Sequence, residues 1–235
     1  MRRKLCTLII FSIIYCVTLI KFIASYQKTQ EALHWWSYRQ SMKLFLEAET
    51  IRDTLLQESF TIRRSLELLS GDDWELSAYR TQECLTKVEN LHQSLAQLSE
   101  RLFPTYFQGS LPSAIQGVLE SWAISHPHIS FNVSLPTTWQ SETIEHSLIV
   151  SWSLEEVLKI TVPDVLTPIS IYINLEKQKS KSKLIFQITY PDVSILTLYY
   201  SHLEFEFLSE SFRFLTSGKC FYFYKNLNIT WHFYW

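Results

Sequence analysis

Glycine is almost missing from this chain. Its 235 residues include only Gly71, Gly109, Gly117 and Gly218, where average usage of roughly 7% would supply about four times as many. A loop that cradles phosphate depends on glycine, because a residue without Cβ lets the backbone approach the anion and turn freely. No glycine lies between Gly117 and Gly218, so chemistry built on such a loop is excluded there. An excess of basic charge is missing too: 21 Lys and Arg against 23 Asp and Glu give a net charge of −2. That argues against nucleic acid as a partner. Cysteine is sparse. Cys6, Cys16, Cys84 and Cys220 show no C-x-x-C spacing, so neither a disulfide framework nor a zinc site is indicated and the thiols read as packed side chains. With 47% hydrophobic and 19% charged residues, disorder is excluded as well.

What is present begins with an apolar run. Met1-Arg2-Arg3-Lys4 is followed by Leu5 to Ile20 without a charge and, past Lys21, continues to Ala24. Twenty helical residues at 1.5 Å each span the ~30 Å of bilayer hydrocarbon. The run exceeds the ~7–15 residues usual for a signal-peptide core, and Ile23-Ala24-Ser25 is a poor cleavage site. Residues 5–24 are therefore expected to be a single transmembrane helix. Arg2, Arg3 and Lys4 stand on one flank and Lys21, Lys28 and Arg39 on the other, so the positive-inside rule barely decides orientation.

From Met1 to Ser70 there is neither Gly nor Pro, which predicts continuous helix leaving the membrane. Ala48, Ile51, Leu55, Ile62 and Leu69 fall on a 3/4 spacing interrupted by Glu58 and Ser65. Gly71-Asp72-Asp73 reads as a turn, and Val88, Leu91, Leu95, Leu98 and Leu102 carry a second stripe from about Trp74 to Leu102. Residues 27–103 thus form a helical hairpin, and two such hairpins from two chains make a four-helix bundle. The expected dimer interface is Ile51, Leu55, Ile62, Val88, Leu91, Leu95 and Leu98. Beyond Pro104 the texture changes. A short helix opens at Leu111-Pro112 and ends near Ser125; Ile129 to Leu135 alternates as a strand; Ser141 to Ile160 reads as a helix. Ile169–Leu175 and Lys183–Tyr190 are strands around a basic turn from Lys177 to Lys183, and Lys219–Lys225 and Asn228–Trp235 are two more. His202 to Phe214 reads as helix, although the alternation Glu204, Phe205, Glu206, Phe207 keeps a strand open. The fold class is α+β: a transmembrane helix, a hairpin, and an α/β sandwich over residues 104–235.

This order resembles the sensor histidine kinases, and within them the group of nitrate sensors and membrane-fluidity sensors, over roughly residues 45–235. The most specific stretch is Glu100-Arg-Leu-Phe-Pro-Thr-Tyr-Phe-Gln-Gly-Ser-Leu-Pro-Ser-Ala-Ile115. It is similar to the family's link between bundle and ATPase domain, where Leu-x-Pro precedes Gly-Leu-x-x-Ala-Leu. Trp122 and the turn Pro136-Thr-Thr-Trp139 also fit. The resemblance implies a histidine-kinase-ATPase-like domain at 104–235 and identifies the positions where chemistry would sit. Leu56 stands where the family has its phosphoacceptor His, and Gln57 where the acidic partner follows. Leucine carries no nucleophilic nitrogen, so phosphoramidate chemistry is impossible there. Glu155 and Glu156 match the acidic part of the Mg²⁺-binding helix, but no Asn follows on it. Asp192 matches the adenine-reading Asp, with neither glycine of Asp-x-Gly-x-Gly beside it and a short interval for a lid.

The resulting expectation is a catalytically inactive, kinase-like membrane protein without a cofactor, its soluble part cytoplasmic. It would act by homodimerising and by binding a response regulator or an active kinase. A membrane-tethered assembly scaffold is the alternative, and a divergent active kinase the second alternative. His126-Pro127-His128 lacks further ligands for a metal site. Fourteen aromatic residues lie between Tyr199 and Trp235; they read as the packed core of a sheet.

Overall fold

The computed structural model describes residues 2–67, 74–102, 109–139, 142–162, 167–178, 181–199 and 202–235. The expected turn Gly71-Asp72-Asp73 and the Pro104 segment lie outside the described residues. The chain divides into two compact units, one of Tyr38–Gln108 and one of Met1–Ser37 with Gly109–Trp235.

Helix α1 runs Arg2–Thr50 without a break, as expected of a stretch with no Gly or Pro. Among the described residues no helix is long and apolar enough to cross a membrane. The side chains of residues 2–10, which include the start of the 5–24 run, lie outside those described.

In the Tyr38–Gln108 unit a single π-helical turn, Ile51–Leu55, separates α1 from α2, Leu56–Glu67. Such a turn inserts one residue and rotates the next helical segment by about 100° relative to an unbroken helix. Helix α3 spans Trp74–Leu102. Leu55, Ile62, Cys84 and Leu98 are buried, and Lys87 Nζ donates to Ser65 Oγ at 2.9 Å, joining α2 to α3.

The other unit is built on one sheet. Its elements are α4 Leu111–Ser125, β1 Ile129–Ser134, α5 Ile144–Thr161, β2 Ile169–Gln178, β3 Lys181–Thr189, α6 Val193–Tyr199, α7 His202–Thr216, β4 Lys219–Lys225 and β5 Asn228–Tyr234. The strand order is β1-β2-β3-β5-β4, with β1 and β2 parallel and the remaining pairs antiparallel. In β1, where the sequence alternates, Ile129 is buried and Phe131 half-buried but Val133 is exposed; β3 and β5 alternate in burial over their length. Leu184, Phe186 and Ile188 of β3 and Ile229, Trp231 and Phe233 of β5 are buried, and the residues between them turn to the opposite face. Helix α4 opens with Pro112 in its first turn, where a missing N–H costs nothing. Helix α5 is capped by Thr143, whose Oγ1 accepts from His146 N–H at 3.3 Å. Just before that cap, the Glu142 carboxylate accepts from Ser182 Oγ at 2.7 Å and Trp235 Nε1 at 2.8 Å, fixing the start of β3 and the end of β5.

Two departures from the sequence reading stand out. Strands β2 and β3 extend through most of the expected basic turn, leaving only residues 179–180 between them. His202–Thr216 is the helix the sequence favoured, with Phe205, Leu208 and Phe212, at i, i+3 and i+7, sharing one buried face. The short helix α6 was not expected at all. Asp192 Oδ1 accepts from Ile195 N–H at 2.9 Å and so caps its first turn.

Within the same unit, the Ser25–Ser37 part of α1 lies on α7. Ser211 Oγ donates to the Ala32 carbonyl at 2.9 Å, both residues being fully buried, and Lys28 pairs with Glu206 at 3.1 Å. Trp35 and Phe207 face each other at 6.1 Å. Where α7 passes to β4, Gly218 is required sterically: a Cβ there would overlap the Tyr234 carbonyl oxygen.

Candidate functional site

The positions that would carry kinase chemistry divide between the two units. In the hairpin, Leu56 is 60% exposed at the start of α2 and Gln57 lines a polar cleft of about 370 Å³. That cleft is completed by Asp53, Thr54, Glu58, Thr61, Lys87 and Asn90. It holds carboxylates and amides but no nucleophilic nitrogen besides Lys87, whose ammonium is held by Glu83 at 2.7 Å and Ser65 at 2.9 Å. A solvated leucine cannot accept a phosphoryl group, and the π-helical turn beside it adds no reactive atom.

In the α/β unit, α5 presents Glu155 half-buried and Glu156 almost fully buried. Glu156 is paired with Lys159 one turn on at 2.7 Å, so its charge is spent within the helix rather than offered to a cation. Ser151 and Ser153 are buried on the same helix, and Ser153 Oγ donates back to the Ile149 carbonyl at 2.7 Å. Asp192 is exposed and its carboxylate caps α6. The Tyr190 hydroxyl donates to the Thr161 carbonyl at 2.6 Å, tying the end of β3 to the end of α5. Helix α6 begins immediately after Asp192, where an adenine-reading loop would need glycine. These residues do not fit a Mg²⁺-nucleotide: there is no amide ligand on α5, no glycine around Asp192, and the carboxylates already have partners. His126 stacks on Trp122 at 4.6 Å and meets His128 edge-on at 5.9 Å. Among the described residues no three His, Cys, Asp or Glu converge as metal ligands.

The expected dimer stripe also divides. Leu55, Ile62 and Leu98 are buried within the hairpin, Ile51 and Leu91 are half-buried, and Val88 and Leu95 are exposed in the single chain.

One feature lay hidden in the aromatic C-terminal third. Trp231, Phe233, Phe205 and Phe212 are fully buried between sheet and helices, as a packed core requires. Phe221 and Phe223 of β4, by contrast, stand on the open face of the sheet with His232 and Tyr234 of β5. His232 stacks on Phe221 at 5.2 Å and Phe223 at 5.4 Å, and Phe221 on Tyr234 at 5.8 Å. Offset ring stacks at such separations are favourable. Lys183 reaches over Tyr234 at 5.6 Å and pairs with Glu176 at 3.1 Å. Burial and the Lys183 ammonium hold the His232 pKa below its ordinary value, with Glu176 opposing. His232 Nδ1 is buried without a hydrogen-bond partner, which also suits the neutral ring. Because the fold disfavours the protonated form, the unfolded chain binds more protons below about pH 6.5. The stability that His232 contributes is complete above that pH and is lost as pH falls toward its lowered folded value. His232→Phe keeps the stack and removes the titration. Thermal unfolding at pH 7.5 and 5.5 should show a smaller drop in Tm for this variant than for the parent.

No protein-family model matches this chain, and no curated protein matches it. Solved structures of histidine kinases are similar to it at low identity. The histidine kinase domain of the blue-light activated histidine kinase EL346 from Erythrobacter litoralis is 9% identical, with 75% of this chain and 94% of that one covered at a TM-score of 0.45. The catalytic domain of histidine kinase ThkA is 14% identical, covering 54% of this chain and 91% of its own at 0.42. ThkA in complex with the response regulator protein TrrA is 14% identical over 89% of this chain and 65% of that one at 0.41. TM-scores under 0.5 do not fix a fold, and the functional weight falls on this chain's own residues.

Proposed function

We propose that this chain is a membrane-anchored, catalytically inactive relative of the sensor histidine kinases. It acts in two-component-type signalling by dimerising through its hairpin and binding a response regulator or an active kinase. What supports this reading is that a chain with a similar element order has no His at the matched phosphoacceptor position, no Asn on the matched Mg²⁺ helix and no glycine beside Asp192. Leu56 replaces the phosphoacceptor, α5 carries no Asn, the Asp192 carboxylate caps a helix, and no glycine lies between Gly117 and Gly218. A bundle surface that a partner recognises needs none of those atoms, because fold and site are separable. The uncharged run from Leu5 to Ile20 supports the anchor, and the kinase-like order supports a cytoplasmic soluble part. Protease accessibility on intact cells tests that placement.

The test of inactivity is calorimetry with Mg·ATP on the full chain in detergent. No heat of binding is expected up to millimolar nucleotide. A dissociation constant tighter than about 100 µM, roughly −5.5 kcal/mol, would overturn the inactive reading in favour of a divergent kinase.

A further inference from the structure

We propose that the edge of β1, with the apolar cleft beside it, accepts an extended segment of a partner protein whose cleft-facing side chains are aliphatic and include one base. The surface lies in the α/β unit and makes no use of the hairpin, so it stands or falls apart from the signalling reading.

Strand β1 is the outermost strand beside β2, and the two run parallel. In a parallel pair, alternate residues turn both backbone groups to the neighbouring strand and the others turn theirs away. An edge strand therefore shows unpaired N–H and C=O groups, the template that strand addition uses. At the start of β1 the Ile129 N–H closes on the His126 carbonyl at 3.0 Å. From Ser130 to Ser134 the chain forms no hydrogen bond to any described residue outside β2. The usual protections of an edge are missing as well, since Ile129–Ser134 contains neither Lys nor Pro.

The helical face of β1 is incompletely covered. Ile129 is buried, Phe131 half-buried and Val133 40% exposed, so the cover is lost along the strand. What opens there is a cleft of about 390 Å³ between Leu119 and Ala123 of α4, Phe131 and Val133 of β1, and Leu135. The other face of the strand is polar, with Ser130, Asn132 and Ser134 all exposed. An added strand alternates its side chains between the two faces. One set enters the cleft and takes its apolar lining out of water; the other stands beside serine and asparagine. The edge thus selects aliphatic side chains on one face and small polar ones on the other.

Charge narrows the occupant further. Glu120 lines the same cleft and is the only charged residue of α4 and β1. Its Oε1 accepts from Gln116 Nε2 at 2.8 Å, an amide that leaves the negative charge uncompensated, and among the described residues Glu120 forms no ion pair. A base at a cleft-facing position of the added strand meets this carboxylate and gains a charge-assisted hydrogen bond. A second copy is the poorer occupant: its β1 brings no base and its α4 brings another Glu120, a like-charge juxtaposition.

The test uses the full chain in non-ionic detergent and the probe fluorescein-Thr-Val-Thr-Lys-Thr-Val-Thr-amide, read by anisotropy. One counterpart carries glutamate in place of the lysine. Another keeps the lysine but is N-methylated at every backbone amide, which prevents strand pairing. The lysine probe is expected to bind about fivefold tighter than the glutamate probe, as one added ion pair allows, and about tenfold or more tighter than its N-methylated form. Glu120→Lys, at an exposed helical position, should reverse the preference between the charged probes while the circular dichroism spectrum stays that of the parent. The proposal is overturned if the lysine probe shows no binding at 1 mM, if the two charged probes bind alike, if the N-methylated form binds as well, or if Glu120→Lys leaves the preference unchanged. Asn132→Cys, exposed on the polar face of β1, reports self-pairing. A disulfide-linked dimer that forms in this variant and not in the parent, and that the lysine probe prevents, would overturn the proposal in favour of a second copy.

Discussion

Trp231→Ala is expected to destabilise the α/β unit by about 3–5 kcal/mol, the range for deleting a large buried aromatic side chain. Trp231 is fully buried on β5, between β3 and the edge strand β4, and packs against Tyr222 at 4.9 Å, Phe205 at 5.1 Å and Phe233 at 5.8 Å. Alanine would leave a cavity bounded by rings anchored on three different elements, which cannot all collapse into it. The same residue carries a liability: its Nε1–H is buried without an acceptor. Trp231→Phe removes that unsatisfied donor while keeping most of the volume, so its cost should be only about 1 kcal/mol. Urea titration followed by near-ultraviolet circular dichroism separates the variants by their midpoints. A midpoint for Trp231→Ala within error of the parent would mean that the ring is not the centre of this core. Equal losses for the two variants would mean that the indole N–H is satisfied after all.

Some of this architecture could be read from residue order because one period dominated each segment. Strands β1, β3 and β5 alternate cleanly, and a stretch of seventy residues without Gly or Pro has few options besides helix. The misses have local physical causes. Helix α6 is about two turns long, too short to display a period; its one signal was Asp192 placed three residues before the N–H it caps. The π-helical turn left no trace, because Ile51 and Leu55 are four apart in either kind of helix. The aromatic segment read as uniform core. Composition does not say which face of a strand an aromatic occupies, and the outward turn of Phe221 and Phe223 follows from their register with His232 and Thr230. For the candidate site, the residue types at Leu56, Gln57 and Asp192 were legible from residue order. That Asp192 caps a helix and Glu156 pairs within one was not, since both depend on side-chain geometry.

The hairpin stripe was legible as a stripe, but not which contacts it makes. Leu95 and Leu98 are three residues apart on α3, hence about 60° apart around the axis. Leu98 is 7% exposed and sits in the seam of its own hairpin, whereas Leu95 is 47% exposed in the single chain. Aspartate at the two positions should therefore do different things. Leu98→Asp places an unpaired charge in the buried seam of the hairpin, at a cost of several kcal/mol; the hairpin should unfold and the far-ultraviolet helical signal fall. Leu95→Asp leaves that seam intact. In the proposed four-helix bundle, however, it places the charge against the second chain, so the helical signal should persist while the mass halves. Leu55→Asp with Leu95→Asp should combine both losses, because Leu55 is also in the internal seam at 7% exposure. Sedimentation velocity of the full chain in density-matched detergent, paired with circular dichroism, reads both quantities. A parent chain that is monomeric at tens of micromolar would remove the basis for a signalling dimer. If the parent is dimeric and Leu95→Asp is too, the second chain is met by another exposed face of the hairpin, where Leu56 and Phe60 stand at 60% and 69% exposure.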